Sequence, residues 1–343
     1  MRPILSILCL LTVLACFSQS KTEELAIARI QYVYKLKKAI GDKIWPSFGN
    51  DKYNIPIIYY SGDTTFVANP HPKFVKQYDP IPIFERSKLS VYRINQRIDT
   101  ARLRMMVSIS YGPDTTLYDY NTPYMKCNSR EEFLQVTSFK PDTKGWVAIV
   151  LHEFFHGFQF LHEGYRDYIA RHNLIYSAMR DALQNLFRTQ DWYREYLNSE
   201  NDLLLKACKS ENRQQTDSLI GAFFDIRKER RSRIKTDPDF DFELTEKSFE
   251  TMEGCARYVE AMLFLYYVKD KQLAAVDTAF NNNGKPRENI EGLGRVTEGD
   301  YYYATGYNIV RLLKKLNIDP SSVLFKNPSV TLEDLLREIH KKE

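Results

Sequence analysis

Cysteine is scarce, and its placement excludes two classes of protein. The 343 residues contain five cysteines. Two of them, Cys9 and Cys16, lie in an apolar leader, which leaves Cys127, Cys208 and Cys255 scattered along the chain. No CxxC pair occurs, so neither a disulfide scaffold nor a thiolate zinc site is available. An excess of charge of one sign is also lacking. Lys and Arg number 48 against 44 Asp and Glu, for a net +4, and loss of a leader carrying Arg2 leaves about +3. That balance gives no reason to expect nucleic-acid binding. Beyond the leader no run of eighteen apolar residues exists, so no transmembrane helix is predicted. Internal repeats and low-complexity tracts are missing as well. What remains is ordinary globular composition, 43% hydrophobic and 27% charged, at a length that suits one large domain or two modest ones.

The first twenty residues, MRPILSILCLLTVLACFSQS, read as a secretory signal: Arg2 supplies the positive start, and Ile4–Phe17 is apolar but too short to span a bilayer. Cleavage after Ser18 or Ser20 frees a soluble chain. VLAC offers the alternative of a lipid anchor at Cys16. Either route predicts an exported protein.

Texture then divides the chain at about residue 144. Residues 22–40 have helical periodicity with Gly41 as a stop. From 45 to 140, turn residues punctuate short β-rich runs: IPIIYY, TTFVA, MMVSISY and FLQVTSF. They predict a small sheet, with a helix near SKLSVYRINQRID and FLQVTSF as an edge strand able to pair with an extended peptide. After KPDTKG a long apolar helix is predicted over 145–162. Residues 163–247 form a charged, mostly helical insertion, whose basic run RKERRSRIK (227–235) reads as a solvated helix face. A second apolar helix follows over 248–270, then a polar loop and two closing helices. The expected organisation is a signal at 1–20, a helix-plus-sheet subdomain at 21–144 and a helical subdomain at 145–343, in an α+β fold.

Within the first apolar helix stands LHEFFHGFQFLHEG. His152 and His156 are four residues apart and share one helix face, and Glu153 lies about 100° round. Three ionisable groups buried without partners would cost several kcal/mol. A Zn²⁺ ion suits them: two neutral imidazoles bind it, and the neighbouring glutamate can take a proton from a water that the metal activates. This is the H-E-x-x-H logic of zinc peptidases. A catalytic zinc needs a third protein ligand, and two candidates exist. His162 stands at the metzincin interval, but Gln159 occupies the position of the glycine that turns the metzincin helix. If the helix continues, His162 points about 240° away from His156. Glu253, in MEGCARYVE on the second apolar helix, would complete a His₂Glu set. Glu260 lies on the same face and could accept a hydrogen bond from an imidazole.

HEFFH followed by EGCARYVE resembles the gluzincin pattern HExxH…NEGxAxYxE of aminopeptidase N-like and glycyl-aminopeptidase-like metallopeptidases. The resemblance spans about residues 145–315. It implies a zincin-like fold, with Glu253 as third zinc ligand, Glu260 behind the ligands, and Tyr303 of YATG (303–306) as the phenol that stabilises an oxyanion. It also implies a peptide or protein substrate, with Glu153 as general base. Three departures qualify it: Met252 replaces the asparagine, 97 positions separate His156 from Glu253, and no GxMEN motif is present, so aminopeptidase specificity is not implied. Two other readings stand beside it. One is a non-catalytic exported binding or scaffold protein that keeps a zincin fold; the other is a metzincin-type protease using His162.

Overall fold

The computed structural model describes residues 2–109, 122–172, 177–234, 241–266, 268–281, 290–297 and 299–341. It is a mixed α+β fold that divides into two compact units, Met1–Phe158 with Tyr266–Pro286, and Gln159–Leu265 with Arg287–Glu343.

The first unit is built on a sheet. Its described strands are β1 (Ile57–Ser61), β2 (Thr64–Ala68), β3 (Ile81–Arg86), β4 (Leu89–Ile94), β5 (Met105–Ser108) and β6 (Tyr124–Asn128). They run in the order β3-β4-β2-β1-β6-β5, antiparallel except where β1 pairs with β6. Alternation along β1 sorts its side chains between two faces. Ile58 and Tyr60 join Val67, Ile94, Tyr124 and Phe74 of helix α2 (Pro72–Tyr78) in one apolar cluster. Tyr59 faces the other way. It meets Arg29 of α1 (Arg2–Ile44) and packs edge-on against Trp146 of α4 (Thr143–Phe160).

Four local expectations change here. Helix α1 does not stop at Gly41 but runs to Ile44. Gly41 serves a close approach instead, since a Cβ there would lie 2.7 Å from the Gly49 nitrogen. FLQVTSF is not a strand. Residues Arg130–Val136 form helix α3, whose first turn is closed by the Ser129 hydroxyl accepting from the Glu132 amide. The sequence Ser-x-x-Glu is a helix-start signal that outweighs the β-branched residues after it. SKLSVYRINQRID yields strand β4 rather than a helix, because its alternating residues pair with β2 on one side and β3 on the other. MMVSISY is a strand only over β5; residues 110 and 111 lie outside the described residues.

The second unit is helical: α5 (Glu163–Arg171), α6 (Ser177–Thr189), α7 (Asp191–Lys209), α8 (Arg213–Arg233), α9 (Phe242–Leu265), α11 (Tyr302–Lys315) and α12 (Leu332–Lys341). Helix α10 (Lys271–Val276) belongs to the first unit. The basic run of α8 is not a solvated face. Arg227 and Arg230 are fully buried. With Arg231 they occupy one helix face, at spacings of three and four residues, and meet carboxylates from three other helices. Arg227 forks onto Glu250 at 2.7 and 2.8 Å and also reaches Glu200 and Glu333, each at 2.9 Å. Arg230 binds Glu200 and Glu246, and Arg231 binds Glu246 and Glu333. Guanidinium groups this deep need several charge-assisted bonds to repay desolvation, and α7, α9 and α12 supply them.

Candidate metal centre

Helix α4 is apolar because it is buried along its length. Phe48 meets Phe154, Phe155 and Phe158 edge-on at centroid distances of 6.5, 5.2 and 5.6 Å, and Trp45 adds a contact with Phe155 at 5.2 Å. A Cβ on Gly157 would fall 2.3 Å from Ile55 Cδ1, so a larger residue there would require the Ile55 side chain to shift. The first turn is held by Asp277, which accepts from Thr143 Oγ1 at 2.8 Å and from Arg29 Nε at 2.7 Å. Burial alone pushes the Asp277 carboxyl up, but Arg29 and the Thr143 hydroxyl outweigh it and hold the group below the usual carboxylate range. Arg29 extends the same anchor to α3, donating to both Glu131 oxygens at 2.6 and 2.8 Å.

On this fixed helix His152 and His156 lie one above the other. Their rings stand 5.0 Å apart, nearly perpendicular at 82°, and keep only 4% and 7% of their exposure. Three residues further on, the fully buried Gln159 donates from Nε2 to the Met252 carbonyl at 2.9 Å. The residue that departs from the metzincin glycine is thus the one that ties α4 to α9, beside Glu253.

His152, His156 and Glu253 each offer one donor atom, and these atoms lie within 4.8 Å of one another. Among the described residues this is the one group of three or more His, Cys, Asp or Glu side chains so arranged. His162 is not part of it. Helix α4 ends at Phe160, short of the expected 162, and His162 precedes α5 with its ring 5.9 Å from Phe325. Glu153, next to His152 on α4, is partly buried.

Two glycines shape the surroundings of Glu253. A Cβ on Gly254 would lie 2.4 Å from the backbone of Gly306, and one on Gly306 would lie 2.2 Å from the Glu250 carbonyl oxygen. Helices α9 and α11 therefore touch through their backbones at the glycines of EG and YATG. Tyr303, one turn before Gly306, lies in the first turn of α11. Its ring stacks on Tyr302 at 5.3 Å, and the Arg257 guanidinium sits over it at 5.1 Å. Arg257 Nη1 donates to both oxygens of Glu260, at 3.1 and 3.0 Å, and Glu260 is buried. Arg257 is a residue that motif reading passed over, because it stands at an unspecified position of the pattern.

No family model, curated protein or solved structure matches this chain.

The donor chemistry is therefore judged on the residues themselves. Two imidazole nitrogens and one carboxylate oxygen suit a borderline transition-metal ion better than calcium or magnesium, which take oxygen shells. A tetrahedral ion with bonds of about 2.0–2.1 Å spaces its ligands about 3.4 Å apart, which lies inside the 4.8 Å that bounds the three donors. The set leaves a fourth position for water or substrate, so the group fits a metal ion.

Proposed function

We propose that this chain is an exported, zinc-dependent metallopeptidase of gluzincin type with a zincin-like fold. The observation that carries the reading is the convergence of His152, His156 and Glu253 within 4.8 Å, with Glu153 as the neighbour of the first ligand. Its supports are the donor set and the buried helix that holds the two imidazoles. Among the described residues no helix is long and apolar enough to cross a membrane. The leader at 1–20, with Cys16 as a possible lipid site, is the basis for export.

A zinc ion held by these three residues would supply a Lewis acid and lower the pKa of water at the open position. The chain's own groups do the rest. Glu153 takes a proton from the attacking water and delivers it to the leaving amine nitrogen. Tyr303, at the start of α11, donates its phenolic proton as a hydrogen bond to the developing oxyanion. Glu260, behind the ligands, accepts from Arg257 and holds that guanidinium in place.

The test is zinc content measured beside turnover of a mixed peptide library. Wild type is expected to carry about one zinc per chain, and the double variant His152→Ala, His156→Ala none. Glu153→Gln should keep the metal while hydrolysis falls by about 10²–10⁴-fold. Zinc retained in the double variant would remove the assignment. Wild type that holds zinc and cleaves nothing would point to a binding or scaffold protein.

A further inference from the structure

We propose that Arg257 receives a carboxylate of the bound peptide, so that the substrates are anionic peptides, bearing either an acidic side chain or a free C-terminal carboxylate close to the cleaved bond. This rests on the metal-site reading above and adds a substrate class to it.

The geometry starts from helix spacing. Arg257 follows Glu253 by four residues on α9, which puts both side chains on one face. Glutamate four residues before arginine is the order that pairs well along a helix. Arg257 does not take that partner. Its Nη1 goes forward to Glu260, and its flat face covers the Tyr303 ring. Glu253 is left to converge with the histidines.

Those two partners use only part of the guanidinium. It carries five N–H donors in a fixed plane and cannot shed its charge. Among the described residues, neither Nε nor Nη2 of Arg257 donates to anything, and Nε is buried without a partner. Nε and Nη2 form one straight edge of the guanidinium, the edge that matches the two oxygens of a carboxylate. The acid nearest in sequence to Tyr303 cannot fill it: Asp300 already accepts from Arg180, Gln184 and Tyr302. The Arg257 side chain keeps 27% of its exposure, so it is not sealed in the core. A cation one turn from a proposed metal ligand, braced by Glu260 and by an aromatic ring, with Nη2 unfilled and part of its side chain exposed, is arranged to take an anion that arrives with the substrate.

The experiment uses the full chain carrying Glu153→Gln, which prevents turnover, and calorimetric titration with three N-acetylated hexapeptides. The first is alanine-rich with a central Glu and an amidated C-terminus. The second is its Gln counterpart. The third is the Gln peptide with a free C-terminal carboxylate. The first or the third should bind at least about tenfold more tightly than the second, as a charge-assisted pair does; which of them does so tells the side-chain source from the chain-terminal source. Arg257→Gln should bring the three to within about twofold of one another, and Arg257→Lys should keep part of the preference, with zinc content unchanged in both. Equal binding of all three by the parent would overturn the proposal. So would a preference that survives Arg257→Gln, or loss of zinc in the variants, which would reduce Arg257 to a support for Glu260. Zinc content of the parent is read separately, so failure of the metal site shows there and not in the charge preference.

Discussion

Gly254 and Gly306 meet backbone to backbone where α9 packs on α11. Glu253 lies immediately before the first, and Tyr303 lies one helical turn before the second. A methyl group on Gly306 would fall 2.2 Å from the Glu250 carbonyl oxygen, and backbone cannot yield as a flexible side chain can. Gly306→Ala should therefore destabilise by about 2–3 kcal/mol, as overpacking does, and weaken metal binding along with it. Gly164 is the control. It lies in α5 with nothing within 4 Å of an added Cβ, so Gly164→Ala should be neutral or stabilise by up to about 1 kcal/mol. Urea unfolding of the two variants checks the contrast.

The buried arginine cluster predicts an unequal response from two similar glutamates. Burial pushes the Glu333 carboxyl up, but Arg227 and Arg231 outweigh it and hold it well below the usual range. For Glu250 burial wins, aided by repulsion from Glu246 and Glu333 against the pull of Arg227, and its carboxyl is raised. The fully buried Arg227 and Arg230 and the partly buried Arg231 face Glu200, Glu246, Glu250 and Glu333, and Arg337 adds a further cation at Glu333, so Glu250 is the one that accepts a proton most readily. Glu333→Gln should cost about 3 kcal/mol or more, as breaking a buried pair does, and Glu250→Gln less, because burial already favours a proton on that carboxyl. The sign with pH follows. A depressed carboxylate contributes stability above its unfolded pKa and loses it as pH falls through the folded one. The acid limb of a stability–pH curve should thus be shallower in Glu333→Gln than in wild type.

Lys37 predicts a slope on the alkaline side. The side chain is buried, its ammonium donating to the Asn50 carbonyl and to Asn54 Oδ1. Burial pushes its pKa down to about 8, only partly offset by Asp51 and Asp42. Between pH 8 and the ordinary lysine value the unfolded chain holds a proton that the folded chain has lost, so stability rises with pH across that window. The gain is on the order of 2 kcal/mol. Lys37→Met should flatten the rise. Denaturation midpoints of both proteins at pH 7.5 and 10 measure it; parallel curves would show that Lys37 titrates normally.

These three features differ in how far the sequence announces them. The two apolar helices are legible because buried helices are apolar all round, and α4 and α9 fall close to where periodicity puts them. The histidine pair is legible because its spacing is local to one helix. Glu253 needed a pattern spread over two helices, and the bond from Gln159 to the Met252 carbonyl beside it leaves no trace in either motif. The arginine run shows the limit most plainly. RKERRSRIK is charged enough to be taken for a surface, and only its carboxylate partners on α7, α9 and α12 make burial possible. Local propensity points away from strand β4 and helix α3, and pairing on both sides of β4 and one serine cap before α3 outweigh it.

The proposed third ligand, Glu253, gives the sharpest prediction, because it ranks four variants. Zinc that binds only the folded chain raises its thermal midpoint, by an amount that follows zinc affinity. Glu253→Gln removes a charged donor from the converged group, so zinc affinity should fall by more than about 100-fold, beyond the range of changes behind the ligands, and most of the zinc-dependent rise in midpoint should vanish. Glu260→Gln removes a buried carboxylate behind the proposed ligands without touching a donor; a loss of about 10–100-fold is expected. Glu153→Gln should leave affinity near wild type, since the proposed role of that carboxylate is to handle a proton. His162→Ala should change nothing, because His162 lies beyond the end of α4 beside Phe325. Competition with a chromophoric chelator, together with melting curves with and without zinc, reads all four. Intact zinc affinity in Glu253→Gln with loss in His162→Ala would move the third ligand to His162 and the protein to the metzincin type; loss in Glu153→Gln equal to that in Glu253→Gln would make Glu153 a ligand and leave the proposed hydrolysis without its base.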